Sequence, residues 1–364
     1  KTGRPIIIDN HDKTQSPTRN ITSSCVKLKK NKFLVGHEAR KAFQTGDKSA
    51  VGRFKKEMGN NTKFSLGKES FSPTDLSAVV LKELKKIAEK EIEEIAEVVI
   101  TVPANFSHDA RTSTMEAAKL AGLNVQNIID EPTAAALYYA FKSGDDVSGN
   151  FAVYDLGGGT FDISIIKMSG GRQVQVLASE GVSNLGGDDF DRCLIAIMER
   201  KFNKKFKEKF VSDIHYNLDQ AEEDKIVLSH VNKTQKAIEG EIFDITREEF
   251  EEEISTKIAQ ATMLCEAALH EAGLSPGDLD GVFLAGGSTR IPAILESVEK
   301  VFQIKPTQTE NVDEIVALGA SLYAAYKSDG KHLTSAQEVA IKKLDVEDVT
   351  SDFFGTIILM DNIK

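Results

Sequence analysis

Asp155-Leu156-Gly157-Gly158-Gly159-Thr160-Phe161-Asp162 is the stretch on which the fold turns. Apolar and β-branched residues flank it, so residues 151–156 read as one strand and 160–167 as the next. A two-residue hairpin turn needs only one or two glycines. Three in a row let several backbone N–H groups converge on one point, which is how a loop cradles phosphate. Alternation puts Val153 and Asp155 on one face of the first strand, and Thr160 and Asp162 on one face beyond the turn. Two carboxylates and a hydroxyl beside such a cradle suit a hydrated Mg²⁺, which keeps several waters and takes few protein ligands. The competing reading is a tight hairpin with solvated aspartates.

Working outward, strands and helices alternate. Residues 98–102 form an apolar strand closed by Pro103, Ser107 caps a helix that Gly122 ends, 125–129 is a strand, and Pro132 opens another helix. Earlier, 6–8 and 31–35 read as short strands. Ser72-Pro73-Thr74-Asp75 is a helix start, followed by Leu76, Val80, Leu84 and Ile87 at helical spacing. Later, 173–179 is a strand, with helices over 189–203 and 216–229. Thr246-Arg247-Glu248-Glu249 is a capping box for a long helix ending near Gly273. Residues 282–285 are a buried strand, helices start at Arg290 and near Val312, and 353–360 reads as a strand. This alternation means an α/β protein.

The composition narrows the function. At 364 residues the chain holds about two domains. With 45 basic and 56 acidic residues its net charge is −11, which removes a generic nucleic-acid binder from consideration. No apolar run approaches the ~18 residues of a membrane span. Cys25, Cys193 and Cys265 are odd in number and far apart, so disulfides and structural zinc are not expected, and a reducing cytoplasmic setting is. The Walker A pattern, G-x-G-x-x-G, H-E-x-x-H and G-x-S-x-G are all absent, which sets aside P-loop, Rossmann, zincin and α/β-hydrolase chemistry.

Other segments are weaker singly. Ala285-Gly286-Gly287-Ser288-Thr289-Arg290-Ile291-Pro292 leaves a buried strand with glycines that permit close approach of a ligand, and Arg290 can stack on an aromatic base. Glu222, Lys225 and Ser229 share a helix face at i, i+3 and i+7 and are placed to grip a ribose and base, although a solvated face is the commoner case. Glu131-Pro132-Thr133 reads alone as a helix start, and Lys55 as one cation in Arg53-Phe54-Lys55-Lys56.

Together these segments resemble the seventy-kilodalton heat-shock protein family, the DnaK-type chaperones. The resemblance is carried by residues 99–106, 129–136, 153–166, 185–191 and 286–292, in order and at the family's spacing. It implies the actin-like ATPase fold, an α/β architecture of two duplicated ribonuclease H-like lobes around a nucleotide cleft. It further implies Mg²⁺-dependent ATP hydrolysis, with ATP or ADP and Mg²⁺ as cofactors. Carried over by motif, Lys55 orients the γ-phosphate and attacking water, Glu131 and Asp155 hold Mg²⁺ through its waters, and Thr160 and Asp162 line the γ-phosphate side. Gly157, Gly158, Gly159, Gly186, Gly187 and Asp188 line the phosphates. Glu222, Lys225 and Ser229 hold the adenosine, with Gly286, Gly287, Ser288, Arg290 and Asp313 beside it. Pro103 and Arg111 match residues that link nucleotide state to domain docking.

The implied layout is lobe I over 1–146, lobe II over 147–327 with an adenosine subdomain at about 189–285, and a linker with the first strand of a substrate-binding domain over 328–364. The family's opening I-D-L-G-T-T hairpin has no counterpart, since residues 1–9 resemble the sequence just after it. The stretch 59–71 is short, so the subdomain it builds is reduced. Unfolded client peptides, a J-protein and a nucleotide exchange factor are the implied partners, although Gln126, Asn127 and Asp130 stand where the family is partly basic. Two alternatives share the glycine-hairpin logic: a small-molecule kinase of the actin fold, and a nucleotide sensor that does not hydrolyse.

Overall fold

The computed structural model describes residues 4–10, 20–92, 95, 98–143, 147–170, 173–182, 184–307, 309 and 311–327. The strand expected at 353–360 and the linker over 328–364 lie outside them.

The chain opens with an antiparallel sheet of order β2-β1-β3, from β1 (Cys25–Lys29), β2 (Lys32–Val35) and β3 (Ala50–Gly52), with helix α1 (His37–Gln44) between the last two. Residues 6–8 are irregular, in contrast to the strand expected there, and Ile6 is 75% exposed. No described strand lies alongside to take up their backbone groups, and a lone strand is not stable. The shortened stretch folds as a two-stranded hairpin, β4 (Phe64–Leu66) with β5 (Glu69–Phe71). Helix α2 (Pro73–Ala88) starts as its sequence dictates: Ser72 and Asp75 close a reciprocal capping box and Pro73 sits in the first turn. Its apolar residues Leu76 and Val80 join Val26, Val51, Phe54 and Leu66 in one small core.

Next, β6 (Val98–Val102) pairs in parallel with β7 (Val125–Asp130), joined through α3 (His108–Leu120). Helix α4 (Glu131–Ser143) follows with no intervening loop. The central sheet has order β10-β9-β8-β13: β8 (Gly149–Leu156), β9 (Phe161–Ser169) and β10 (Gln173–Val182) form an antiparallel meander, and β13 (Gly281–Ala285) adds in parallel to β8. Its two faces bury different cores. On one side Tyr154, Phe161 and Ile163 pack against α5 (Gly187–Lys205) and α8 (Arg247–Glu271). On the other, Phe151, Val153 and Phe283 pack against α4 and α10 (Ile315–Lys327). Tyr139 of α4 stacks on Phe283 and donates its buried hydroxyl to the Leu284 and Thr307 carbonyls.

The remaining elements follow α5 and lead the chain back past the central sheet. They are α6 (Ser212–His215), α7 (Leu218–Leu228), the hairpin of β11 (Lys233–Ile238) and β12 (Glu241–Thr246), and α9 (Pro292–Phe302). Thr246 and Glu249 cap α8 as expected. The helix expected from Arg290 instead begins at Pro292, because the residue before a proline is kept out of the helical region; residues 287–290 form a 3₁₀ turn. The last helix begins at Ile315 rather than near Val312. It packs on α4 and β6, so closely that a Cβ on Gly319 would stand 1.8 Å from the Ala134 carbonyl oxygen. Among the described residues no helix is long and apolar enough to cross a membrane.

Candidate functional site

Strands β8 and β9 pair so that Asp155 lies directly opposite Asp162, which puts both carboxylates on one face beside the turn. The turn comprises residues 157–160, closed by the Gly157 N–H donating to the Thr160 carbonyl at 3.1 Å, so β9 starts one residue after Thr160. A Cβ on Gly157, Gly158 or Gly159 would find no heavy atom closer than 4.0, 3.9 and 3.9 Å. The fold leaves that space open, which is what a ligand approaching the backbone requires.

Two further glycine loops lean on this turn. Gly186 presses against it, since a Cβ there would stand 2.6 Å from the Gly159 nitrogen. The Gly187 and Asp188 N–H groups donate to the Gly157 and Gly158 carbonyls at 3.0 and 2.7 Å. These residues begin α5, so the positive end of its dipole lies beside the turn, although the N–H groups from Gly187 to Phe190 are already bonded to carbonyls of the two loops. Gly286, at φ 83°, stands where a Cβ would lie 2.3 Å from the Leu156 carbonyl oxygen, and the Ser288 hydroxyl donates to the Gly157 carbonyl at 2.9 Å. Beside it Arg290 pairs with Asp313 at 3.1 Å, and a Cβ on Gly287 would come within 2.4 Å of the same carboxylate.

The opposing lobe supplies charge. Lys55 rides a 3₁₀ turn (Phe54–Glu57) and pairs with Glu131, the first residue of α4, at 2.7 Å. Partial shielding works against its charge, but Glu131, Asp162 and Asp155 leave its pKa above the ordinary lysine value. Burial, then the Glu131 and Asp162 carboxylates, push Asp155 up to about 7. Burial and Glu131 push Asp162 to about 6, against Lys55 and hydrogen bonds from Asn105 and Thr160. Three carboxylates thus face one ammonium. That surplus of negative charge, beside an open glycine turn, fits a divalent cation arriving on a phosphate. Among the described residues no three histidine, cysteine or acidic side chains gather to chelate a metal directly, so the fit is to an ion that keeps its waters.

Helix α7 is capped by Asn217 and carries Glu222 and Lys225. Lys225 is buried, pairing with Asp191 at 2.7 Å and donating to the Gly187 carbonyl at 3.1 Å, so it braces the start of α5 from beneath. Burial raises Asp191 to about 7 in spite of that lysine. Glu222 reaches across to Arg40 at 2.9 Å. Ser229 closes the C-terminus of α7 and returns its hydroxyl to the Lys225 carbonyl at 3.1 Å.

Pro103 lines a small pocket with Glu131, Asp155 and Asp162. Arg111 on α3 pairs with Asp130 at 2.7 Å and donates to the Ala104 and Phe106 carbonyls, so it holds the loop that follows Pro103. The two residues are therefore contiguous with the carboxylate cluster. Four cleft residues carry no signal in the sequence: Arg40, Arg53, Lys56 and Asn184. Arg53 pairs with Asp188 at 3.0 Å, and Lys56 donates to Asn184 at 3.2 Å. Arg53 adopts a left-handed backbone (φ 62°), which costs a non-glycine residue about 1–2 kcal/mol. Only the folded chain shows that.

Residues 62–353 match the family model described as Hsp70 protein, and Lys55 lies before the matched stretch.

Proposed function

The chain belongs to the Hsp70 family, whose members have chaperone ATPase-type function, and from that premise we propose that this cleft binds ATP and hydrolyses it to ADP and inorganic phosphate. The observation that carries the reading is the Asp155–Asp162 pair facing each other beside an open triple-glycine turn.

In phosphoryl transfer, positioning and charge neutralisation supply the catalysis. The turn would direct the N–H groups of Gly158 and Gly159 at the phosphates, while Gly157, Gly187 and Asp188, whose N–H groups are bonded to carbonyls within the loops, would hold that turn in place. Lys55, kept cationic by Glu131, would offset charge growing on the transferred phosphoryl group and orient the attacking water. Thr160 and Asp162 would accept hydrogen bonds from water on the γ-phosphate side. Bound Mg²⁺ supplies further neutralisation of the phosphate oxygens, and Asp155 and Glu131 would hold its water shell. Glu222, Lys225 and Ser229 would frame the ribose and base, with Gly286, Gly287, Ser288, Arg290 and Asp313 on the other side.

The DnaK-type cycle belongs to the same proposal. Nucleotide-dependent lobe arrangement would pass through Pro103 and Arg111 to a substrate-binding domain that holds unfolded clients, with a J-protein and an exchange factor as partners. A cytoplasmic setting is part of the same proposal. Isothermal titration with ADP and with ATP, each with Mg²⁺, tests the reading. Stoichiometric binding and slow release of phosphate are expected; an intact chain that binds neither nucleotide overturns it.

A further inference from the structure

The turn that carries Lys55 is rooted in lobe I by Phe54, which is 2% exposed and meets Phe64 edge-to-face, and by the buried Met58. Its three cations fan outward to different partners. Lys55 takes Glu131 on its own lobe at 2.7 Å. Arg53 and Lys56, on either side of it in sequence, both grip the lobe II loop, at Asp188 (3.0 Å) and at Asn184 (3.2 Å). Asp188 is itself fixed to the phosphate turn, because its N–H donates to the Gly158 carbonyl at 2.7 Å. Lys55 is thus bracketed by two side chains anchored to the loop that packs on the triple glycine.

Arg53 is costly where it stands. Its backbone is left-handed at φ 62°, a conformation glycine would adopt without penalty. Its Nε is buried and donates to nothing among the described residues. A single partly exposed ion pair does not offset both costs. A strained residue kept beside a site points to a role in that site.

We infer that Arg53 is a positioning residue for Lys55: by gripping Asp188 it ties the Lys55 turn to the phosphate loop, so that apposition of the lobes sets where the ammonium stands. The inference deepens the ATP-hydrolysis reading and rests on it.

Arg53→Gly separates the two contributions, since it relieves the backbone while removing the guanidinium. The variant is expected to melt no lower than the parent chain and to bind ADP with Mg²⁺ within threefold of it. Its single-turnover rate of ATP hydrolysis should fall about tenfold or more, because small misplacements of a reacting group are costly. Asp188→Asn should lower the rate similarly, and the double variant should be no slower than the slower single. Full-rate hydrolysis by Arg53→Gly, or a rate loss matched by an equal loss of affinity or melting temperature, overturns the inference. A second readout needs no turnover. Acetic anhydride labelling of Lys55, read by mass spectrometry against exposed Lys90, should rise at least threefold in Arg53→Gly with ADP bound, and unchanged labelling overturns the inference. If the parent chain binds nucleotide but does not hydrolyse it, the reading of the site fails while the labelling still decides the role of Arg53.

Discussion

The two walls of the cleft are built in different ways. On lobe II the wall is main chain: three glycine loops stack, two of them joined by backbone hydrogen bonds and the third by the Ser288 hydroxyl, and a methyl group on Gly186 or Gly286 would overlap a neighbouring peptide unit. On lobe I the wall is side chain: Arg53, Lys55 and Lys56 reach out from one short turn, each held by a partly exposed polar contact. The glycine loops of the first wall are preorganised by packing rather than by charge. The second is assembled by charge, so its geometry responds to what carries charge in the cleft. Binding should therefore depend mostly on the first wall and chemistry on the second.

The largest effect should come from breaking the main-chain wall. Gly186→Ala puts a Cβ 2.6 Å from the Gly159 nitrogen, and backbone cannot give way as a side-chain tip can. A loss of about 3 kcal/mol in stability and at least a hundredfold in ADP affinity is expected, by denaturant melts and calorimetry. Breaking the charged wall should separate rate from affinity. Lys55→Ala is expected to slow single-turnover hydrolysis about 10²–10³-fold while ADP affinity changes by less than about fivefold. An equal fall in both would mean that Lys55 serves binding alone.

A smaller effect sharpens the role of charge. Asp155 is raised from its ordinary 3.8 to about 7, first by burial and then by Glu131 and Asp162. Between about pH 4 and pH 7 the native chain holds a proton there that the unfolded chain has lost, so this group's contribution to stability falls as pH rises through that window. Asp155→Asn escapes that loss. In the absence of nucleotide it should stabilise the fold by about 2 kcal/mol at pH 8 and by nothing measurable at pH 4. A pH-independent difference would contradict the assignment. The smallest effect tests one strut of the main-chain wall. Ser288→Ala removes the hydroxyl that donates to the Gly157 carbonyl and should cost about 1 kcal/mol, with hydrolysis nearly unchanged.

The main-chain wall was largely legible in the sequence and the charged wall was not. Strand alternation alone places Asp155 and Asp162 on one face, and local chemistry fixes the starts of α2 and α8, where Ser72 meets Asp75 and Thr246 meets Glu249. Local rules fail where the deciding contact is distant. The β11–β12 hairpin hides because its strands are only half buried and its turn is Glu239-Gly240, both with positive φ. The packing of α10 on α4 depends on Gly319 meeting Ala134 across 185 positions, 319 minus 134. Residues 6–8 show the reverse error, in which a β-branched run suggests a strand that no described neighbour completes. Arg53 reads as an ordinary surface cation, since nothing local announces a left-handed arginine.

The central claim is that the three stacked glycine loops receive the phosphates of a nucleotide. Its most direct test is a titration with ADP and Mg²⁺ followed by the backbone amide resonances of Gly158, Gly159 and Gly187. The account predicts that these amides shift together, saturating at one nucleotide per chain. Saturable binding that leaves all three unmoved while resonances elsewhere respond would contradict it.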